Sequence, residues 1–345
     1  MNEQTSYLND AEVESCRALG QSLLDGLDRI ILGQQGLTRA VVTAALAGGH
    51  VLLEGLPGLG KTELVKGLAG LLSMDFHRVQ FTPDLLPGDI TGGHILQETG
   101  KGQEFVFRAG PVFCNMLLAD EINRASPKTQ SSLLEAMAEG RVTVLGETRD
   151  LPDPFFVLAT QNPIEMEGTY PLPEAQLDRF LFKVDVPPVD TEVLTAIISQ
   201  RSHGRPPAAE AVATAEDFRN FRDLAARMHF PPAVVSFIAR LCSATHAHGA
   251  DAPASVKDFV RYGASPRAAI AISEAARVDA LLQGKATIGF DNVKTVAPFA
   301  LVHRLVLDYR ARIDGIHAID VVNDLLAAVP ELENAMPTEV VDAEA

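Results

Sequence analysis

The sequence predicts an α/β fold, a mostly parallel five-stranded sheet between helices, joined to a C-terminal all-helical domain. Three observations carry this expectation. Short apolar runs alternate with helix-like stretches over residues 31–188, the pattern of a parallel sheet covered on both faces. The first of those runs passes through a glycine-rich turn straight into a helical segment. After Pro187-Pro188 the strand-like runs stop, while helical periodicity continues.

The elements follow in chain order. Within residues 1–30, Val13, Leu19, Leu23, Leu24, Leu27 and Ile30 recur at helical intervals and predict an amphipathic helix. Residues 50–54, bounded by Gly49 and Gly55, read as a buried strand, and residues 62–72 as the helix after it. Apolar runs at 78–81, 116–119, 155–159 and 180–186 supply the remaining strands. Ser126 as N-cap, Pro127 in the first turn and Gly140 past the end delimit a helix. Residues 141–145 and 147–151, split by Gly146, predict a β-hairpin with a polar, projecting tip. Residues 189–330 read as helical, with Leu224 and Met228, then Val234, Val235, Ile238 and Leu241, at helical spacing. Residues 331–345 carry five acids, no base and Pro337, and predict a frayed acidic tail.

Composition excludes several classes. The 345 residues suffice for about two domains at roughly 150 each. With 47% hydrophobic and 21% charged residues the chain is globular rather than disordered or fibrous. The longest apolar stretch, residues 40–53, is shorter than the ~18 residues that span a bilayer. The start, MNEQTSYLND, has neither a basic nor an apolar signal region, so a cytoplasmic address is expected. Cys16, Cys114 and Cys242 are too dispersed for a disulfide framework. A net charge of −16 opposes sequence-independent binding to nucleic acid.

The chemistry is concentrated in a few motifs. Residues 55–62, GLPGLGKT, satisfy G-x-x-x-x-G-K-[ST] between a buried strand and a helix. Such a turn (Gly55, Leu56, Pro57, Gly58, Leu59, Gly60) directs backbone N–H groups at phosphate oxygens, and the helix end adds roughly half a positive charge. Lys61 would neutralise β/γ-phosphate charge and the Thr62 hydroxyl would hold Mg²⁺. Asp120 and Glu121 end an apolar strand, where one acid can reach the metal shell and the other can polarise water. Asn162 ends another strand on the same edge and could hold the attacking water or the γ-phosphate. Its other reading is an Asn-Pro turn, and in isolation Arg179 would be a surface ion-pair partner.

Taken together, GLPGLGKT, QFTPDLLPGDITG (80–92), LLADEINRA (117–125), ATQNP (159–163), GTYPLPEAQLDRF (168–180) and GASPRA (263–268) resemble the MoxR-type AAA+ ATPases, in order and over roughly residues 30–330. The P-loop alone marks only a large superfamily, whereas DEINRA followed by GTYPLPEAQLDRF is narrow. The resemblance implies a P-loop core with a helical lid. It places Lys61 and Thr62 in Walker A, Asp120 and Glu121 in Walker B, Asn162 as sensor 1, Arg179 as the arginine finger and Arg267 as sensor 2. It puts Gly33-Gln34 at the adenine-contact position. It further implies ATP and Mg²⁺ as cofactors and a homo-oligomeric, hexameric ring. Within such a ring a finger serves the neighbouring subunit's site, an effect worth 10³ to 10⁵ in rate for analogous fingers. Two insertions are implied, a helix-2 insert at residues 82–93 and the hairpin at 141–151 before sensor 1. Chaperone-like maturation of a client, by metal or cofactor insertion, with a von Willebrand factor A-domain partner is the implied process. Whether Arg267 acts on its own or a neighbouring site stays open, and Arg124 is a second candidate interface arginine.

Competing readings are few. Cys242, His246 and His248 form C-x₃-H-x-H, which reads as a zinc site or, without a nearby fourth ligand, as a polar helix end. Glu165 and Glu167 form a paired-acid pattern that fits a loop better than a site. Two alternatives to a hydrolysing remodeller are a slow nucleotide-gated scaffold and a DNA-acting motor. The latter is opposed by the net charge and by the lack of an aromatic-basic track.

Overall fold

The computed structural model describes residues 7–55, 60–99, 102–162, 168–201, 206–249 and 251–332. Helices α1 (Asp10–Ile30) and α2 (Gln35–Leu46) precede β1 (Val51–Glu54), α3 (Lys61–Leu71) and β2 (Phe76–Gln80). A short α4 (Pro87–Thr91), the strands β3 (Gly92–Thr99) and β4 (Gly102–Ala109), and β5 (Met116–Asp120) come next. Then follow α5 (Pro127–Glu139), β6 (Arg141–Val144), β7 (Glu147–Asp150), β8 (Phe156–Gln161), α6 (Glu174–Leu177) and β9 (Phe182–Asp185). The remainder comprises α7 (Thr191–Gln200), α8 (Ala215–Ala226), α9 (Pro232–Ser243), α10 (Ala254–Phe259), β10 (Val260–Tyr262), α11 (Pro266–Leu282), α12 (Phe290–Leu301), β11 (Val306–Leu307), α13 (Tyr309–Ile313) and α14 (Ala318–Ala328).

The five expected strands form one sheet in the order β2-β5-β8-β1-β9, and every pairing in it is parallel. Alternate strand residues feed two separate cores. Val51, Leu53, Leu118 and Leu158 pack with α1, α2 and α3, while Leu52, Leu117, Val157 and Ala159 pack with α5. Each fully buried leucine contributes about 1.5–3 kcal/mol. Being apolar on both faces is what makes these strands legible as continuous runs.

Helix α1 opens with a capping box in which Asn9 and Glu12 exchange side-chain and backbone hydrogen bonds of 2.9 Å. Its inner face packs on α3 and also on α11, and at Gly20 an added Cβ would lie 2.1 Å from the Leu282 side chain, so the close approach of α1 to α11 requires glycine. Ser126 caps α5 through Thr129 N–H, Pro127 stands at the first position, and Gly140 closes the helix, as expected.

Two expectations need correction. The insertion after β2 extends beyond residues 82–93, because α4 leads into an antiparallel hairpin, β3–β4, that reaches Ala109. The region after Pro188 is helical as expected, with one small antiparallel pair, β10 and β11, within it. The strand expected at 78–81 begins earlier, at Phe76, and ends at Gln80. The hairpin expected at 141–151 is present as β6 and β7. No described helix is long and apolar enough to cross a membrane.

Candidate active site

Parallel strands all end on one edge, and here their register aligns polar residues along it. Gln80 is paired with Asp120, and Glu54 with Gln161. Above that edge lies a cleft of about 400 Å³ lined by Gly55, Gly60, Lys61, Thr62, Asp120, Glu121 and Asn162, with Arg78, Gln80 and Thr160 between them. Residues brought together from four separate motifs thus share one cavity, at the position where open α/β sheets bind ligands.

Lys61 opens α3, and its Nζ donates a 2.6 Å hydrogen bond to the Gly55 carbonyl. Burial lowers the Lys61 pKa, and Asp120, Glu121 and Glu54 oppose that shift. Gly60, immediately before the helix, has φ +81°, a left-handed conformation that glycine adopts without the Cβ penalty. Leu56, Pro57, Gly58 and Leu59 lie outside the described residues.

The two acids at the end of β5 diverge. Asp120 accepts 2.6 Å hydrogen bonds from the Thr160 hydroxyl on Oδ1 and from Arg78 Nη2 on Oδ2. Glu121 takes a left-handed conformation, φ +54° and ψ +50°, at a cost on the order of 1–2 kcal/mol. Its N–H donates to Thr160 Oγ1 at 2.9 Å, while its Oε2 accepts from Gln80 Nε2 and Arg124 Nη1, both at 2.8 Å. One carboxylate is therefore held by Thr160 and Arg78, the other by Gln80 and Arg124. Arg124, a candidate interface arginine, is thereby tied to an acid of its own chain.

The oxygen set of Thr62 and Asp120 suits Mg²⁺, which commonly takes one or two protein ligands and completes its shell with phosphate and water. Among the described residues no group of three or more His, Cys, Asp or Glu side chains is placed to hold a metal. At the possible zinc motif, His246 Nε2 lies 3.2 Å from the Ala264 carbonyl, and burial pushes the Cys242 thiol up to about 11. All three cysteines are buried and free. Glu165 and Glu167 lie outside the described residues.

The other sequence-derived residues stand apart from the described lining of the cleft. Gly33 lies in the turn between α1 and α2 against Val193 of α7, and Gln34 precedes α2 with its Oε1 buried and unpartnered. Arg179 is exposed and donates from Nη1 to the Leu134 carbonyl at 2.6 Å. Arg267, 63% exposed, lies 3.6 Å from Asp178 Oδ2. Sequence reasoning missed Arg78, Gln80 and Thr160 as site residues. Gln80 and Thr160 stood inside quoted motifs, and the strand-edge rule applied to every strand end would have found them.

Comparisons with known proteins agree with this geometry. The family model described as ATPase family associated with various cellular activities (AAA) matches residues 50–182, and the AAA lid domain matches residues 253–325. The chain is 44% identical over 313 residues to the uncharacterized protein YeaC of Bacillus subtilis, covering 90% of this chain and 94% of that one. Over the same length it is 44% identical to Chaperone MoxR1 of Mycobacterium tuberculosis, covering 90% and 82%. It is 31% identical over 324 residues to Protein MoxR of Methylorubrum extorquens, covering 88% and 91%. The crystal structure of a candidate ATPase from Cytophaga hutchinsonii superposes with a TM-score of 0.84 at 36% identity, covering 93% of this chain and 97% of that chain. The P-loop edge, the paired acids and relatives matched over nearly their whole length lead to one conclusion: the chain belongs to the MoxR-type AAA+ ATPases.

Proposed function

We propose that this protein binds ATP with Mg²⁺ in the cleft at the sheet edge and hydrolyses it to ADP and phosphate within a homo-oligomeric, hexameric ring. The observation that carries this reading is the convergence of Lys61, Thr62, Asp120, Glu121 and Asn162 on one cavity, with Arg179 outside it. Lys61 would exchange the Gly55 carbonyl for the β/γ-phosphates. Bound Mg²⁺, held by Thr62 and Asp120, would neutralise charge on the phosphate oxygens. Glu121 takes a proton from the water whose oxygen attacks the γ-phosphorus, as the bond to the β–γ bridging oxygen breaks. Asn162 orients that water. The buried, unpartnered Gln34 Oε1 beside Gly33 offers an acceptor for an adenine amino group. Arg179, exposed and away from its own cleft, is suited to stabilise the transition state in the neighbouring subunit, and Arg267 to act as a second phosphate-sensing arginine.

In this reading residues 31–188 are the nucleotide-binding core and 189–330 the lid, in a cytoplasmic protein. Cycles of ATP binding and hydrolysis drive chaperone-like remodelling of a client, including metal or cofactor insertion, with a von Willebrand factor A-domain partner. The name of the MoxR1 relative and the exposed Leu96 and Phe105 on the β3–β4 hairpin support an apolar client contact. Calorimetry and phosphate release test the chemistry. Glu121→Gln should bind ATP and not turn over, and Arg179→Ala should bind ATP and lose assembly-dependent turnover. Undiminished hydrolysis in Glu121→Gln would contradict the assignment of the base, and full activity in Arg179→Ala that of the finger.

A further inference from the structure

Arg304, in the turn that follows α12, is a buried cation with a side chain 3% exposed, and it lines no part of the cleft. All five of its N–H donors are spent on the segment 178–181 and on the last turn of α12. Nε donates to Asp178 Oδ1 at 2.7 Å, Nη2 to the carbonyls of Asp178 and Phe180 at 3.1 and 2.8 Å, and Nη1 to the carbonyls of Leu181 and Ala300. The three carbonyls from Asp178, Phe180 and Leu181 surround the backbone of Arg179. The other oxygen of Asp178, Oδ2, accepts from the Ser265 hydroxyl at 3.0 Å and lies 3.6 Å from Arg267 Nη1. Ser265 caps α11, and Arg267 stands in its first turn.

We propose that Arg304 and Asp178 are positioning residues, which fasten the turn carrying Arg179 to the lid and tether Arg267 to the same carboxylate, so that both arginines are presented to the neighbouring subunit as one unit. A buried guanidinium with every donor satisfied is a stiff joint, and loss of one partner leaves an uncompensated charge. The joint lies in the subunit that lends the arginines rather than in the one whose nucleotide reacts. Lid movement in one subunit thereby shifts the arginines offered to the next.

This inference rests on the proposed role of Arg179, and a mixing experiment separates the two. Glu121→Gln subunits retain the arginines and lack turnover, whereas Arg179→Ala subunits retain the site and lack the finger. Mixed rings should regain phosphate release at their hybrid interfaces. Adding Asp178→Asn or Arg304→Lys to the Glu121→Gln subunit should reduce the regained kcat at least tenfold with KM for ATP within twofold. The same change in the Arg179→Ala subunit, which has no finger to position, should leave it within twofold. Ser265→Ala, which keeps the buried pair intact, should give a smaller loss on the same side only, so the test survives if the other variants fold poorly. Equal loss on both sides, or none on the lending side, would overturn the positioning role. Failure of the unmodified mixture to regain activity, with rings assembled, would overturn the finger assignment and this proposal with it.

Discussion

Gln80 donates a 2.8 Å hydrogen bond from Nε2 to Glu121 Oε2, reaching across from β2 to the residue just beyond β5. The same oxygen receives Arg124, so the carboxylate is held by two donors from different elements. A proposed base must stand in a fixed place before a water can be aligned to it, and small misplacements cost rate steeply. Gln80→Leu removes one donor while keeping side-chain bulk. It should reduce kcat for ATP hydrolysis about tenfold with KM little changed. An unaltered kcat in steady-state phosphate release would show that Arg124 alone positions Glu121.

Thr160 joins the two acids through a single hydroxyl, donating to Asp120 Oδ1 and accepting from Glu121 N–H, and it is 1% exposed. Thr160→Val keeps the shape and deletes both bonds, leaving the half-buried N–H of the left-handed Glu121 unpaired. Unfolding in urea should show a loss of about 1–3 kcal/mol. Calorimetry should show weaker ATP binding when Mg²⁺ is present than in the parent protein. Thr160→Ser, which retains the hydroxyl, should restore most of both.

The contrast between legible and hidden residues has a physical basis. The α5 boundaries could be read because Ser126, Pro127 and Gly140 each do a local job that no other part of the chain influences. Lys61, Thr62, Asp120 and Glu121 could be read because their motif spacing, and for the acids their strand-end position, are properties of contiguous sequence. Gln80 could be placed at the strand edge but its partner, like that of Arg78, was hidden, since both act through the β2–β5 register on acids far along the chain. The β3–β4 hairpin was hidden for another reason. Ile95 and Leu96 are adjacent and both exposed, as are Phe105 and Val106, so neither face is buried and no two-residue alternation marks the strands.

His50 gives the fold a pH dependence. Its Nδ1 accepts the Val157 N–H at 3.1 Å and its Nε2 donates to the Met137 carbonyl at 3.0 Å, which defines a neutral ring joining β8 to α5. Burial pushes its pKa from 6.5 down to about 4, opposed by the Met137 bond and aided by Arg222. Between those values the unfolded chain binds a proton that the folded protein excludes, so this contribution is complete above pH 6.5 and is lost as pH falls toward 4. The loss over that window is about 3 kcal/mol. His50→Gln should flatten this part of the stability profile, measured by thermal unfolding from pH 7 to 4.5. A slope unchanged by the substitution would assign the effect to other groups, either the buried His303, pushed by burial down to about 3, or carboxylates.

Asp279 on α11 is 1% exposed and binds three partners. Its Oδ1 accepts from Arg39 of α2 at 2.6 Å, and its Oδ2 from Asn292 of α12 and Gln283, each at 2.8 Å. Asn292, fully buried, also caps α12 by accepting from Gly289 N–H at 2.9 Å, so one carboxylate ties together three helices. Arg39 is about one-third exposed and water would partly compensate it, whereas Asn292 has no such recourse. Asp279→Ala should therefore cost about 2–3 kcal/mol, chiefly through the orphaned Asn292 amide. Arg39→Ala should cost less, because Asn292 and Gln283 continue to satisfy the acid. If Arg39→Ala proved the more damaging in urea titrations, the ion pair rather than the buried amide would be the principal link from α2 to α11.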